Sequence, residues 1–299
     1  MAVSAERKPP DAAAFSLMVL LTALWGFQQV VIKLTAPAVS LVMQAGIRSI
    51  IATLLLLAWV RLRGMQLFGR DGTLGAGVLA GLLFAGEFVF IYAGLGHTAA
   101  SRMVVFIYLA PVCTALGLHL FVPGERLATG QWAGVGIAFS GVAIAFAGGF
   151  ATRGGDTWLG DLFGVIAAAL WATTTVLVRA TKLARITATK TLFYQLAVSA
   201  LVLPLASVAL GERGVVAATP FAIASLIYQG AIVAFASYLA WFWLLTRYFA
   251  ARLSVFSFLA PLFGVLAGVV VLGESLTPSF TLAALLVGLG IVLVNRAAG

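Results

Sequence analysis

Residues 101–111 read SRMVVFIYLAP, and residues 251–261 read ARLSVFSFLAP. Both stretches have Arg at the second position, Phe at the sixth and a closing Leu-Ala-Pro. Other pairs follow at similar offsets, including Ala23-Leu24-Trp25 with Ala169-Leu170-Trp171, Gly124-Glu125-Arg126-Leu127 with Gly273-Glu274-Ser275-Leu276, and Gly141-Val142-Ala143-Ile144 with Gly290-Ile291-Val292-Leu293. Matches that stay in register over half a chain indicate an internal duplication.

Composition places the chain in a membrane. Of its 299 residues 63% are hydrophobic and 9% are charged, and its mean hydropathy is +1.12. A soluble domain carries about 25% charged residues, so this chain lacks the charge to cover a water-facing surface. Because about 20 apolar residues cross the hydrocarbon core, the length fits about ten helices and no separate soluble catalytic domain.

Ten apolar segments are bounded by charged residues, Pro or Gly. An open-edged sheet cannot span lipid, and the segments lack the two-residue alternation of barrel strands, so helices remain. The predicted fold is an all-α polytopic membrane protein with ten transmembrane helices, numbered here as segments 1–10: 14–34, 40–60, 73–95, 101–122, 128–149, 158–178, 189–210, 220–245, 254–272 and 279–295.

The duplication gives each half five segments. An odd number of crossings makes the second half enter the membrane from the opposite side. We therefore predict two inverted five-helix repeats, comprising residues 1–149 and residues 150–299. In transporters with inverted repeats the substrate binds near the bilayer midplane between them.

Basic residues predict the orientation. If the N-terminus is cytoplasmic, thirteen Lys and Arg residues fall on the cytoplasmic side and only Lys33, Arg102, Arg153 and Arg213 on the outer side, with Arg48 inside segment 2. This positive-inside bias predicts that both termini are cytoplasmic. The N-terminal apolar run is too long for a signal peptide and carries Trp25, Gln28 and Gln29, so we interpret it as a retained first helix.

The net charge of +9 does not indicate a nucleic-acid partner, because the basic residues form short clusters between apolar runs. The expected partners are the lipid bilayer and a small-molecule substrate, and a monomer is favoured over a homodimer. Cys113 is the single cysteine, so no disulfide can form within the chain. The sequence has no nucleotide-binding motif, no HExxH and no GxSxG. We therefore expect no cofactor, no metal site and no enzymatic activity.

The two five-segment halves, the Ala-Leu-Trp-Gly element and the Leu-Ala-Pro and Gly-Glu motifs resemble the EamA-type drug/metabolite transporter superfamily. Within it the chain is most similar to the aromatic amino-acid exporters of the YddG type. This resemblance implies export of amino acids or related metabolites across a bacterial inner membrane, through a cavity lined by segments 1–4 and 6–9. Four-helix members carry a membrane-embedded Glu on their first helix, but this chain has Trp25 and glutamines there, so that coupling residue is not carried over.

Polar side chains inside a bilayer are costly and usually face the protein interior or an aqueous path. Segment 1 has Trp25, Gln28 and Gln29 on one face, and segment 6 has Trp171, Thr174 and Thr175 at the corresponding positions. Amides and hydroxyls there would pair with a zwitterion, and the indoles would cover an apolar side chain. The alternative is that these polar groups join helices through interhelical hydrogen bonds.

Glu87 is the lone carboxylate near the middle of a segment, with Tyr92 and two Phe residues close by in the sequence. Its functional interpretations are proton coupling and binding of a substrate ammonium, and its structural interpretations are an ion pair with Arg48 or a solvated position at a cavity mouth. On segment 8, Tyr238 and Trp241 share a face and are predicted to line the cavity.

Several further residues have structural interpretations. The cations at segment ends are expected to snorkel to the interface: Lys33, Arg102, Arg179 and Arg252. Glu125 and Glu274 are expected to stabilise the starts of segments 5 and 10. Pro111 and Pro261 would loosen segments 4 and 9. The glycines of segments 5 and 10 are expected to pack within the subunit, with a dimer contact as the alternative: Gly130, Gly134, Gly136, Gly141, Gly288 and Gly290.

The predicted function is a secondary transporter that exports aromatic or large neutral amino acids, or related metabolites, by alternating access. A drug or other-metabolite exporter of the same fold is the nearest alternative. A channel and an intramembrane enzyme are the alternatives from other classes. The exact substrate, the direction of transport and the coupling ion are left open by the sequence.

Overall fold

The structure is a computed structural model that describes residues 7–69, 71–95, 97–98, 100–147, 150, 157–273 and 278–296, without the side chains of 100–102, 272 and 278. Over these residues the backbone is helical, and β-structure is confined to two isolated bridges. The predicted all-α class is therefore confirmed. Arg70, Arg153 and Glu274 lie outside the described residues, as does the side chain of Arg102.

The described residues of the first half form six α-helices: α1 (Ala12–Thr35), α2 (Leu41–Leu62), α3 (Leu74–Leu95), α4 (Ala100–Ile107), α5 (Ala110–Phe121) and α6 (Thr129–Ala145). The second half forms α7 (Thr157–Ala180), α8 (Ala188–Ala209), α9 (Pro220–Ile227), α10 (Tyr238–Arg247), α11 (Ala250–Ser254), α12 (Leu259–Leu272) and α13 (Pro278–Asn295). A 3₁₀ turn at Lys182–Arg185 joins α7 to α8.

Eight helical stretches of the described chain are long and apolar enough to cross a membrane. Three of these stretches combine shorter helices, namely 103–121, 220–247 and 250–271. Helix α6 has 17 residues and α13 has 18, and neither is among the eight. The polytopic membrane class is thus supported, while the count of ten spans stays a prediction.

Both Leu-Ala-Pro motifs lie where a helix is interrupted. A turn at residues 108–109 separates α4 from α5, and a 3₁₀ turn at Val255–Phe258 separates α11 from α12. Pro111 occupies the first turn of α5, and Pro261 the first turn of α12. Proline suits such positions, because the first turn of a helix needs no intrahelical N–H donors.

Segment 8 contains a π-helical stretch, Tyr228–Ser237, between α9 and α10. No feature of the sequence predicted this stretch. Gly230 within it lies against α2, since a Cβ there would be 2.6 Å from Ile51 Cγ2. Because a π-helix has more residues per turn than an α-helix, this stretch changes the direction in which Tyr238 and Trp241 project.

The core of the bundle is built by helices from both halves. Helix α2 packs on α8, α3 on α7 and α8, α1 on α12, and α5 on α7. Helices α6 and α13 pack chiefly on each other, at the side of the bundle. The central helices therefore come from segments 1–4 and 6–9.

The α6–α13 contact uses three of the six glycines singled out in these segments. A Cβ on Gly134 would lie 2.9 Å from the Gly290 carbonyl oxygen, and one on Gly141 2.8 Å from that of Ala283. Gly130, Gly136 and Gly288 have open space where a Cβ would stand. The predicted intramolecular packing is therefore wrong for these last three, which lie on the outer faces.

Two expectations for the ends of segments are also wrong. Arg179 does not snorkel to the interface, because it is buried and paired with Glu125. Glu125 does not stabilise the start of α6, but accepts hydrogen bonds from the backbone N–H groups of Ala250 and Ala251 at the start of α11. The carboxylate does meet a helix N-terminus, although the helix belongs to the other half of the chain.

Candidate substrate-binding site

Glu87 lies at the centre of the helix bundle. It projects from α3, its side chain is buried, and the positive charge that acts on it is that of Arg48 on α2. Neither a hydrogen bond nor an ion pair joins Glu87 to another residue of the described chain. The carboxylate also interacts electrostatically with Tyr92, Tyr108 and Tyr238. Side chains from four parts of the chain therefore lie close enough to interact with one buried carboxyl group.

Aromatic rings form a wall beside Glu87, which we call the central cluster: Trp25, Phe84, Phe88, Tyr92, Tyr238 and Trp241. The Trp25 ring lies 6.2 Å from Tyr238 and 6.0 Å from Trp241, both edge to face. Phe84 lies 5.9 Å from Tyr238, and Phe88 stacks on Tyr92 at 6.4 Å. These separations are those of attractive aromatic pairs, so the cluster is a coherent apolar surface rather than a set of isolated rings.

Trp25 is fixed in the cluster by a hydrogen bond. Its indole Nε1 donates to Ser237 Oγ at 2.9 Å, and Ser237 in turn donates to the Val233 carbonyl at 2.5 Å. Ser237 ends the π-helical stretch, directly before Tyr238. The end of the π-helix therefore positions Tyr238, one ring of the cluster, and Ser237, which holds the facing Trp25 ring.

Trp171 of α7 joins the site through Tyr108. The two rings lie 6.2 Å apart, and Tyr108 interacts electrostatically with both Glu87 and Tyr238. The structure thus brings together Trp25, Glu87, Tyr92, Tyr238 and Trp241 of the predicted site, with Trp171 at its edge.

The other four predicted residues make no contact with the central cluster among the interactions of the described residues. Gln28 is buried and its amide nitrogen has no partner, whereas Gln29 is exposed. Thr174 and Thr175 are buried and donate to carbonyls of their own helix, at 2.9 and 3.4 Å. Their hydroxyl oxygens keep only acceptor capacity, and their role in binding stays a prediction.

Sequence reasoning missed Tyr108 and Ser237. Tyr108 lies three residues before Pro111, so its position beside the helix break was a usable signal. Ser237 carried no signal, because the π-helix that orients it depends on packing against α2. Arg48 was predicted as a possible ion-pair partner of Glu87, and its neighbours include the Phe88 ring, 4.3 Å from the guanidinium carbon, and Tyr238, with which it shares a side-chain hydrogen bond.

Other parts of the described chain are weaker candidates for a binding site. A groove of about 320 Å³ lies at the end of α5, lined by His119–Val122 and the following loop, and it does not include the buried charges. Within the described residues, no group of three or more His, Cys, Asp and Glu side chains could hold a metal ion. The central cluster is therefore the better candidate site.

Comparisons with known proteins agree with this fold. The EamA-like transporter family matches twice, over residues 13–147 and 158–296. A solved crystal structure shares the fold, with a TM-score of 0.81, 21% identity and coverage of 95% of this chain and 96% of that chain.

Curated relatives are transporters by name. The "Probable terminal-alkyne amino-acid exporter" of Streptantibioticus cattleyicolor is 29% identical over 238 residues, 79% of this chain and 75% of the relative. The "Uncharacterized inner membrane transporter YedA" of Escherichia coli is 26% identical over 296 residues, 96% of this chain and 90% of the relative. The "Uncharacterized transporter YvbV" of Bacillus subtilis is 26% identical over 287 residues, 96% of this chain and 92% of the relative. With both halves matched by the family and a transporter's helical bundle around a buried charged site, this chain belongs to the EamA-like transporter family.

Proposed function

We propose that the protein is a secondary transporter that exports aromatic or large neutral amino acids across a bacterial inner membrane. The observation that carries this proposal is Glu87, a buried carboxylate without a direct partner beside a wall of aromatic rings. A carboxylate suits a substrate ammonium, and the rings suit an apolar or aromatic side chain. The relatives named as an amino-acid exporter and as an inner-membrane transporter support the substrate class and the location.

The proposed architecture is ten transmembrane helices in two inverted repeats, residues 1–149 and residues 150–299. Two separate matches to one family, one in each half, support the duplication. Helix packing supports it as well, because equivalent helices have equivalent partners. Helix α1 packs on α12, and its equivalent α7 packs on α4 and α5, which are the equivalents of α11 and α12. Helix α3 packs on α8, and the equivalent contact in the other half joins the π-helical stretch to α2. Alternating access would rock these halves around the central cluster.

An exporter of apolar organic cations is the second candidate, and a specific observation favours it. Aromatic faces attract cations, and Glu87 would supply the counter-charge. The buried Arg48 opposes this candidate, because it places a positive charge beside the same rings. If tetraphenylphosphonium competed with phenylalanine for transport, the result would favour the cation exporter.

Counterflow tests the proposed function. Proteoliposomes that contain the purified protein and unlabelled phenylalanine are diluted into a panel of radiolabelled amino acids. We expect phenylalanine, tryptophan and leucine to accumulate transiently, whereas aspartate and lysine do not. Accumulation of none of the aromatic or large neutral amino acids would contradict the proposal.

Glu87→Gln keeps the shape of the side chain and removes its charge. A hydrogen bond to a charged group contributes about 1.5–3 kcal/mol, so apparent affinity for phenylalanine should fall about ten- to a hundred-fold. The matched control is Asp71→Asn, because Asp71 is an exposed carboxylate outside the cluster, where it pairs with the buried Lys190. Glu87→Gln with the affinity of the parent would remove Glu87 from the binding site.

A further inference from the structure

Arg48 is buried in the bundle and shares a side-chain hydrogen bond with Tyr238, but its remaining N–H groups are not all paired. The residue is 2% exposed, and its Nε and one terminal nitrogen are buried with no hydrogen-bond acceptor. None of the ion pairs formed by the described residues includes it. Unpaired N–H groups of a buried cation are costly, so an acceptor is missing from the protein itself.

Neighbouring polar groups show that the bundle can satisfy buried side chains. Gln44, one turn earlier on α2 and also buried, donates to the Val39 and Ile32 carbonyls at 2.8 and 3.3 Å and accepts from Gln229 at 3.0 Å. Arg179, also buried, is held by Glu125 and donates to the Leu245 carbonyl at 2.6 Å. Pairing is incomplete elsewhere as well, since Arg179 Nε and Gln229 Oε1 lack partners. What distinguishes Arg48 from the equally buried Arg179 is that two of its nitrogens lack an acceptor and no carboxylate of the described residues pairs with it.

The surroundings of Arg48 are those of the central cluster. Phe88 covers the guanidinium at 4.3 Å, an arrangement that stabilises its charge through the ring face. The charge also acts on Glu87, Tyr92 and Tyr238. Arg48 and Glu87 thus place a basic and an acidic side chain at one site, and no ion pair of the described residues joins them.

We propose that Arg48 binds the carboxylate of the transported amino acid, while Glu87 binds its ammonium group and the aromatic rings hold its side chain. The inference rests on the proposed function and deepens it, because it requires a substrate with a free carboxylate. The planar guanidinium presents parallel N–H donors that match a carboxylate in a bidentate way. Lysine at this position would keep the charge and lose that match.

A purely structural Arg48 would behave differently. If it only balanced the charge of Glu87, ligands with and without a carboxylate would bind equally well. L-Phenylalanine, L-phenylalaninamide and 3-phenylpropionate separate the two cases, because the amide lacks the carboxylate and the acid lacks the ammonium. All three carry the same phenyl group for the aromatic wall.

The experiment measures binding of these three compounds to the purified full-length protein in detergent, through the change in tryptophan fluorescence. In the parent protein we expect phenylalaninamide to bind about ten- to a hundred-fold more weakly than phenylalanine. Arg48→Gln should weaken the binding of phenylalanine by a similar factor and leave the binding of phenylalaninamide unchanged. Arg48→Lys should bind phenylalanine with an affinity between those of the parent and of Arg48→Gln. The matched control, Arg63→Gln, changes an exposed arginine outside the cluster and should bind as the parent does.

Equal binding of phenylalanine and phenylalaninamide by the parent would overturn the inference and leave the proposed amino-acid substrate standing. This comparison needs no variant, so it holds even if Arg48→Gln fails to fold. Equal losses for both ligands in Arg48→Gln would also overturn it, because they indicate a structural role. Arg48-dependent binding of 3-phenylpropionate without binding of phenylalanine would support Arg48 as the carboxylate site and contradict the amino-acid substrate. Binding of none of the three would overturn both.

Discussion

Glu125 connects parts of the chain that are far apart in the sequence. Its carboxylate pairs with Arg179 at the end of α7 and accepts hydrogen bonds from Ala250 N at 3.1 Å and Ala251 N at 3.2 Å. Both charged side chains of the pair are 2% exposed. Arg179 also donates to the Leu245 carbonyl at the end of α10. One ion pair therefore holds together the loop after α5 and the ends of α7, α10 and α11.

Glu125→Gln should destabilise the protein, because it leaves Arg179 buried without a counter-charge. Breaking a buried ion pair by removing one partner costs about 3–5 kcal/mol, measurable as a lower midpoint of thermal unfolding in detergent. Combining it with Arg179→Met should recover part of the loss, since the buried charge then disappears. The control is Arg126→Gln, an exposed neighbour. A single Glu125→Gln variant as stable as the parent would show that the pair contributes little.

The sequence predicted the importance of individual residues better than their partners. Four site residues were selected because polar side chains inside a bilayer are costly and usually face the protein interior or an aqueous path. The structure brings these four together: Trp25, Glu87, Tyr238 and Trp241. Arg179 was expected to lie at the membrane interface, like the other cations at segment ends. Its burial depends on Glu125, 54 residues away, and no local pattern encodes that distance.

At the scale of helices, α6 and α13 approach closely because glycines face each other. The Gly290 position is as tight as that of Gly134, since a Cβ there would lie 2.5 Å from the Gly134 carbonyl oxygen. Small residues are the usual means of close helix approach in membranes, where van der Waals packing drives association. The pair forms a unit beside the central bundle.

Gly134→Ala should separate α6 from α13 and lower thermal stability, because the added methyl group meets backbone and Cβ atoms at 2.9 Å. Overpacking of this kind costs about 1–3 kcal/mol. Gly136→Ala, two residues along the same helix, has nothing within 4 Å of the new Cβ and should be neutral or slightly stabilising. Identical unfolding midpoints for the two variants would contradict the packing described for this pair.

Helix positions were predictable from hydropathy, and helix irregularities were not. The described helices fall on the ten apolar segments to within a few residues at most ends, because lipid requires long apolar runs with all backbone groups paired. Pro111 and Pro261 marked the two interrupted segments. The π-helix at Tyr228–Ser237 has no comparable residue signal, although Gly230 within it packs closely against Ile51 of α2.

For the whole molecule, the proposed inversion of the two repeats predicts where equivalent loops lie relative to the membrane. A reporter fused to one terminus would locate only that terminus and would not test this prediction. The loop after α2 and the loop after α8 occupy equivalent places in the two halves. If the halves are inverted, these equivalent loops lie on opposite sides of the membrane. The positive-inside bias assigns the first to the cytoplasm, with Arg61 and Arg63, and the second to the outside.

Cysteine labelling tests this arrangement, because Cys113 is the single native cysteine and can be replaced in Cys113→Ala. Arg63→Cys and Val216→Cys place one thiol in each equivalent loop, at exposed positions. In intact cells, a membrane-impermeant maleimide should label Val216→Cys and leave Arg63→Cys unlabelled until the membrane is permeabilised. The parent in the Cys113→Ala background gives the unlabelled baseline. Labelling of both loops from one side would mean that the halves run parallel, and access to Arg63→Cys alone would mean an inverted pair with the opposite orientation.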